Sequence, residues 1–237
     1  MSKKYFITYG TNKYNESKFR LAKQVKELDI FDSIKTCDAN NLTNDFKIKH
    51  KDVLCHQQGG GFWIWKIDII NQEIDKLNDG DYLVYLDAGC VINKEGKERF
   101  IEYFEMLNKS EYGIISFTMR HKEREWTTSE VFNYFNIYPD EDIGLIGQSL
   151  GGILIMQKKP HLLKILSEVN KVLEYDNKLF TNYYKKNKQH VGFKDARHDQ
   201  SVLSIIRKLH GSITLDNETL CHLQDSQNWP IWAKRLK

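Results

Sequence analysis

Asp81-Tyr82-Leu83-Val84-Tyr85-Leu86-Asp87-Ala88-Gly89-Cys90 is an apolar, β-type run that stops at a carboxylate followed by two small residues. From Tyr82 to Leu86 no polar residue alternates with the apolar ones, so both faces of this strand are to be covered, as in the parallel sheets of α/β proteins. Such a strand requires helices above and below it. In open α/β sheets ligands bind beyond the carboxyl ends of strands. That places Asp87, with Ala88 and Gly89 leaving room beside it, where a metal ion or phosphate is held. Asp and Gly also end strands as ordinary turn residues, and the segment by itself leaves both readings open.

Working outward, Tyr5 to Tyr9 reads as a first strand, closed by Gly10-Thr11-Asn12 and followed by a helix carrying Phe19, Leu21, Val25 and Leu28. Ser33 to Cys37 is a second strand ending at Asp38, and Gly59-Gly60-Gly61 precedes a helix with Ile67, Ile70, Ile74 and Leu77 on one face. Beyond Asp87 come a helix with Phe100, Phe104 and Leu107, a strand from Gly113 to Phe117, and a charged segment from Met119 to Asp142 expected to fold over the sheet edge. Ile153 to Met156 is a further strand, and Pro160 suits the first turn of a Leu162 to Leu173 helix. His198 to Leu209 is a helix with Val202, Ile205, Ile206 and Leu209 inward, and the tail ends as strand and loop. Strands alternating with helices predict a three-layer α/β/α sandwich around a mostly parallel sheet, as a single domain over residues 1–237.

The 237 residues can bury a substantial core, and 41% hydrophobic with 28% charged residues is ordinary for a globular protein. A net charge of +3 does not imply a nucleic-acid partner. Lys185-Lys186-Asn187-Lys188 reads as a solvated turn. Cysteines at 37, 55, 90 and 221 have neither CxxC nor zinc-finger spacing, so free buried thiols in a reducing compartment are expected. The N-terminus leads straight into a strand, and no apolar run approaches the roughly 18 residues of a membrane span. The expectation is a cytoplasmic protein without a membrane span.

Four further groups cluster chemistry. Gly10-Thr11 after the first strand and Asp38 after the second share the sheet edge of Asp87, where small residues admit a nucleotide and a carboxylate accepts from ribose or base. Neither GxGxxG nor GxxxxGK[ST] is present, which counts against a dinucleotide-binding site and a P-loop. His56-Gln57-Gln58-Gly59-Gly60-Gly61-Phe62-Trp63-Ile64-Trp65-Lys66 starts a helix with three glycines, two tryptophans and a lysine. A cation in a first turn opposes the helix dipole, so Lys66 points to an anionic ligand; Trp63 and Trp65 face different sides, and at least one belongs to the core. Lys194-Asp195-Ala196-Arg197-His198-Asp199-Gln200-Ser201 stacks acid, base and amide groups before an apolar helix, more than a cap needs. Cys221-His222 follows a strand and could return His222 toward the same edge.

Assembled, these residues resemble the nucleotide-diphospho-sugar transferases of the GT-A fold, particularly the small bacterial and giant-virus glycosyltransferases. The resemblance rests on Gly59 to Lys66, Asp87-Ala88-Gly89 and Arg197 to Ser201. It also includes Glu125-Trp126-Thr127 leading to Val131-Phe132, and Gln148 to Lys159 ending in Pro160. It implies transfer of a hexose from a nucleotide-sugar donor, often a UDP-sugar, to a hydroxyl on a glycan, protein or small molecule. The donor would lie against Tyr9, Gly10, Thr11, Asp38, Gly60, Lys66, Asp87, Gly89 and His198. Asp87, with His222, would hold Mn²⁺ or Mg²⁺, which bridges the diphosphate as a Lewis acid. Asp199 would act as general base or as a substrate-orienting group, and Gln200 would bond sugar hydroxyls. Many GT-A enzymes carry Asp-x-Asp; here Gly89 replaces the second acid. A nucleotide-sugar hydrolase or nucleotidyltransferase would use the same edge, and a non-catalytic binding protein would account for the missing acid.

Overall fold

The computed structural model describes residues 2–237. Its strands are β1 (Lys4–Tyr9), β2 (Ser33–Cys37), β3 (Tyr82–Asp87), β4 (Val91–Ile92), β5 (Ile114–Lys122), β6 (Gly147–Ser149), β7 (Ile153–Gln157), β8 (Ile213–Asp216) and β9 (Ile231–Trp232). Seven strands make one sheet in the order β2-β1-β3-β7-β5-β6, with β8 also paired to β5, while β4 and β9 form a separate ribbon. β1 is parallel to β2 and β3, and β8 is parallel to β5. β7 runs antiparallel between β3 and β5, and β6 is antiparallel to β5. The sheet is therefore mostly parallel with two reversed strands. β7 enters reversed because β6 before it is already reversed, and Leu150 to Gly152 is far too short for the crossover that parallel neighbours need.

The two-faced reading of β3 holds in detail. Leu83 and Tyr85 pack into one apolar cluster, with residues of the Trp65–Lys76, Pro160–Tyr175 and His198–His210 helices. Tyr82, Val84 and Leu86 pack into a second cluster, against the Asn15–Lys26 and Lys97–Lys109 helices. This is the three-layer α/β/α arrangement. Ile67, Ile70, Ile74 and Leu77 are buried together, and Pro160 opens its helix. Two expected core positions face water: Phe19 is 51% and Leu209 44% exposed. Leu209 lies one residue before its helix ends, where the inward stripe no longer has a facing element. All four cysteines are free, but only Cys37 and Cys90 are buried, whereas Cys55 and Cys221 lie in exposed connections. Among the described residues no helix is long and apolar enough to cross a membrane.

Candidate active site

Residues two apart on a strand share a face, so Tyr85 and Asp87 both point toward the Trp65–Lys76 helix at the carboxyl end of β3. Tyr85 is fully buried, and its hydroxyl donates to Asp87 Oδ1 at 2.5 Å. Lys66, in the first turn of that helix, is buried with its Nζ 5.1 Å from the centre of the Tyr85 ring. It donates to Asp199 Oδ2 at 2.5 Å and to the Gly151 carbonyl at 3.0 Å, and lies 3.5 Å from Asp87 Oδ1. The Asp199 side chain is 7% exposed and the Asp87 side chain 43% exposed. One carboxylate thus meets solvent while its partners lie beneath.

Two carboxylates share this one ammonium. Burial alone would lower the Lys66 pKa, but Asp199 and Asp87 outweigh it and hold the amine above its ordinary value. Burial pushes Asp199 above the usual carboxylate range; Lys66 opposes the rise and Asp87 adds to it. A cation between two anions cannot fully compensate both in a poorly solvated site. The partner of Lys66 is therefore this pair of acids, which replaces the anionic ligand expected from its place in the helix.

Gly59, Gly60, Gly61, Phe62 and Trp63 all have positive φ, of 59°, 60°, 97°, 52° and 62°. The three glycines form a left-handed turn ahead of the helix. Holding Phe62 and Trp63 in that region costs about 1–2 kcal/mol each, so the surrounding contacts must enforce it. Trp65 supplies one, donating Nε1–H to the Gly59 carbonyl at 2.7 Å while its ring stacks on Tyr9 at 3.6 Å between centres. His198 supplies another, stacked on Phe62 and tilted against Trp63, its Nε2 2.8 Å from Asn182 Oδ1.

Gln200 follows Asp199 and is fixed at both ends. Its Oε1 accepts from the Gly151 amide at 3.0 Å, and its Nε2 donates to Gln148 Oε1 at 2.7 Å, leaving one N–H without a protein partner. Gln148 in turn donates to the fully buried Glu123, which Thr127, Ser204 and Lys208 also bond.

The other expected residues divide. Gly60 and Thr11 face each other: a Cβ on Gly60 would lie 3.9 Å from Thr11 Oγ1. Tyr9 stays in the core beneath Trp65. The Gly10 amide is spent on the Cys37 carbonyl at 3.1 Å, and a Cβ there would strike the Tyr14 carbonyl oxygen. Gly10 thus serves chain packing rather than ligand approach. Asp38 accepts from Asn40 N and from Lys18 Nζ, and its side chain is 37% exposed. His198 is buried against the glycine turn, away from solvent.

The donor set can be tested for a divalent ion. Among the described residues no three His, Cys, Asp or Glu side chains converge. Asp87 already faces the Lys66 ammonium, and Asp199 is occupied by it. His222 is exposed in the connection between β8 and β9 and joins no such group. Gly89 has no side chain, its carbonyl accepts from Leu236 N, and a Cβ there would meet Arg235 Cα at 2.8 Å. Asp87 alone, already facing an ammonium, does not fit a resident Mn²⁺ or Mg²⁺, which needs one or two free carboxylates besides water and substrate phosphates.

No family model and no curated protein matches the sequence. By shape the chain is similar to a glycosyltransferase involved in the glycosylation of the major capsid of PBCV-1, with TM-score 0.53 and 13% identity, covering 97% of this chain and 91% of that one. It is also similar to mouse xyloside xylosyltransferase 1, with TM-score 0.51, 11% identity and coverage of 98% and 97%. The chain has the GT-A glycosyltransferase fold. Galactosyltransferase LgtC, in complex with donor and acceptor sugar analogs, overlaps at TM-score 0.50 and 10% identity, over 96% of this chain and 86% of that one.

Within this GT-A fold several residues of the site carried no mark in the sequence. Tyr85 looked like one more core aromatic. Gly152 must lack a side chain because a Cβ would lie 2.5 Å from Asp87 Oδ2. Arg207 is fully buried, bonds the Ser149 and Leu150 carbonyls, and is pushed down to about 10 by burial. Its place four residues after Leu203 on an otherwise apolar stripe was the one available signal.

Proposed function

We propose that this protein is a glycosyltransferase that moves a hexose from a nucleotide diphospho-sugar, a UDP-sugar in the first instance, to a hydroxyl acceptor. The observation that carries this reading is Asp87: a half-exposed carboxylate at the end of the central strand, oriented from behind by Tyr85 and by the buried Lys66–Asp199 pair. Such preorganised charge acts without reorganising as the bond to the sugar breaks. Asp87 is the carboxylate presented to substrate, and Asp199 sets its charge environment through Lys66. The free N–H of Gln200 beside Gly151 is aimed to donate to a sugar hydroxyl. In the reaction the bond from the anomeric carbon to the diphosphate oxygen breaks, a bond to the acceptor oxygen forms, and the acceptor's proton is released.

The test is incubation of purified protein with a panel of nucleotide sugars, with and without glycan and small-molecule acceptors, followed by mass spectrometry of the products. A sugar added to an acceptor, lost in Asp87→Asn, supports the proposal. Nucleotide release that ignores every acceptor would make the protein a hydrolase and sink it.

A further inference from the structure

Beside Asp87 lies a group of cations and donors that has no protein acceptor. The C-terminal tail runs along the end of β3, pinned by Leu236 N to the Gly89 carbonyl at 2.9 Å and by Ser17 Oγ to the Leu236 carbonyl at 3.3 Å. This brings Arg235, with φ 54°, onto Gly89. The charge of Arg235 reaches Arg197 and His121, and helps hold down the pKa of each after the larger effect of burial. The Arg197 guanidinium stacks on Trp126 at 4.4 Å, and His121 meets the same ring edge-on at 5.3 Å. Arg197 Nε, Trp126 Nε1 and His121 Nδ1 are buried without hydrogen-bond partners.

The nearby acids do not balance this group. Glu125 is paired with Lys194 at 2.8 Å, and Lys194, with a lesser contribution from the Trp126 indole, holds its carboxyl below the usual range, while the indole N–H makes no well-formed hydrogen bond. Asp195 accepts from Tyr184 Oη and Ala196 N. Among the described residues neither Arg197 nor Arg235 has a carboxylate in salt-bridge contact. Converging like charges with unmade hydrogen bonds are stabilised by an anion.

We infer that Arg235 and Arg197, with His121 and Trp126 beside them, bind the diphosphate of the nucleotide donor in place of a divalent metal ion. Gly89 explains the exchange. It stands where a second metal-binding acid would be, and the tail fills the space an acidic side chain would occupy. The missing carboxylate and the added guanidinium are one substitution, of a bridging cation by covalently held ones. Planar guanidinium groups suit phosphate oxygens through paired N–H bonds.

The inference rests on the transferase reading, and binding separates the two. Calorimetric titration of wild type, Arg235→Ala and Arg197→Gln with UDP and with inorganic pyrophosphate is carried out in EDTA and again with Mn²⁺. Wild type is expected to bind UDP in EDTA within about threefold of its affinity in Mn²⁺, and each variant to bind about tenfold more weakly, the worth of one charge-assisted contact. Arg235 is exposed, so its removal leaves the fold intact. Binding that appears only with Mn²⁺, or variants that bind like wild type, would overturn the metal-free site and leave the transferase standing. No nucleotide binding under either condition would remove both.

Discussion

Lys66 Nζ and Asp199 Oδ2 meet at 2.5 Å with both side chains sealed from solvent, so the candidate site is built on a buried ion pair. Removing one partner of such a pair strands the other in a medium that solvates it poorly. Lys66→Met should cost about 3–5 kcal/mol in urea unfolding. The double variant Lys66→Met/Asp199→Leu should recover most of that loss, since two apolar side chains need no compensation. A single-variant cost below about 1 kcal/mol would show that the pair does not matter to the fold.

Asp87 is held rather than buried, so its chemistry and its stability contribution separate. Asp87→Asn is expected to lower kcat by roughly 10²-fold or more while the melting temperature stays close to wild type. Tyr85→Phe removes the 2.5 Å bond that orients the carboxylate. It should lower kcat by about tenfold with little change in KM, the pattern of an interaction made in the transition state. Steady-state kinetics with the transferred sugar as readout decides both.

The left-handed turn predicts an ordering among its glycines. Gly60→Ala meets nothing closer than 3.7 Å and should cost only the positive-φ penalty, about 1 kcal/mol. Gly61→Ala would also place a Cβ 2.8 Å from Leu54 Cα, a backbone atom that cannot turn aside, and should cost about 3 kcal/mol. Chemical denaturation of the two variants would contradict the turn if Gly60→Ala were the worse.

His198 is held down to about 4 from its ordinary 6.5, first by burial against the glycine turn, with Asp195 opposing. A histidine whose pKa falls on folding binds fewer protons in the folded state. Its contribution is therefore fully present above pH 6.5 and is lost as pH falls toward 4. Unfolding free energy should drop by about 3 kcal/mol across that window through this residue. In His198→Gln, which keeps a donor for Asn182, that part of the pH slope should vanish; an unchanged slope would assign it elsewhere.

The local pattern of the chain determined the layers. The unbroken apolar run from Tyr82 to Leu86 required cover on two faces, and its end at Asp87 marked the candidate site, because strand periodicity and a terminal carboxylate are legible within ten residues. The glycines before Trp63 likewise announced unusual backbone, though not its left hand. What only tertiary structure decided were relationships across the chain. Lys66 reaches Asp199 over 133 residues, which turned an expected ligand contact into an internal ion pair. Arg235 settles on Gly89, which turned an apparent defect in a metal motif into a packing requirement. β7 is reversed because of the direction in which β6 delivers the chain. Side-chain type and spacing state what a segment can bury; which distant charge meets which depends on how the layers close, and no local window contains that.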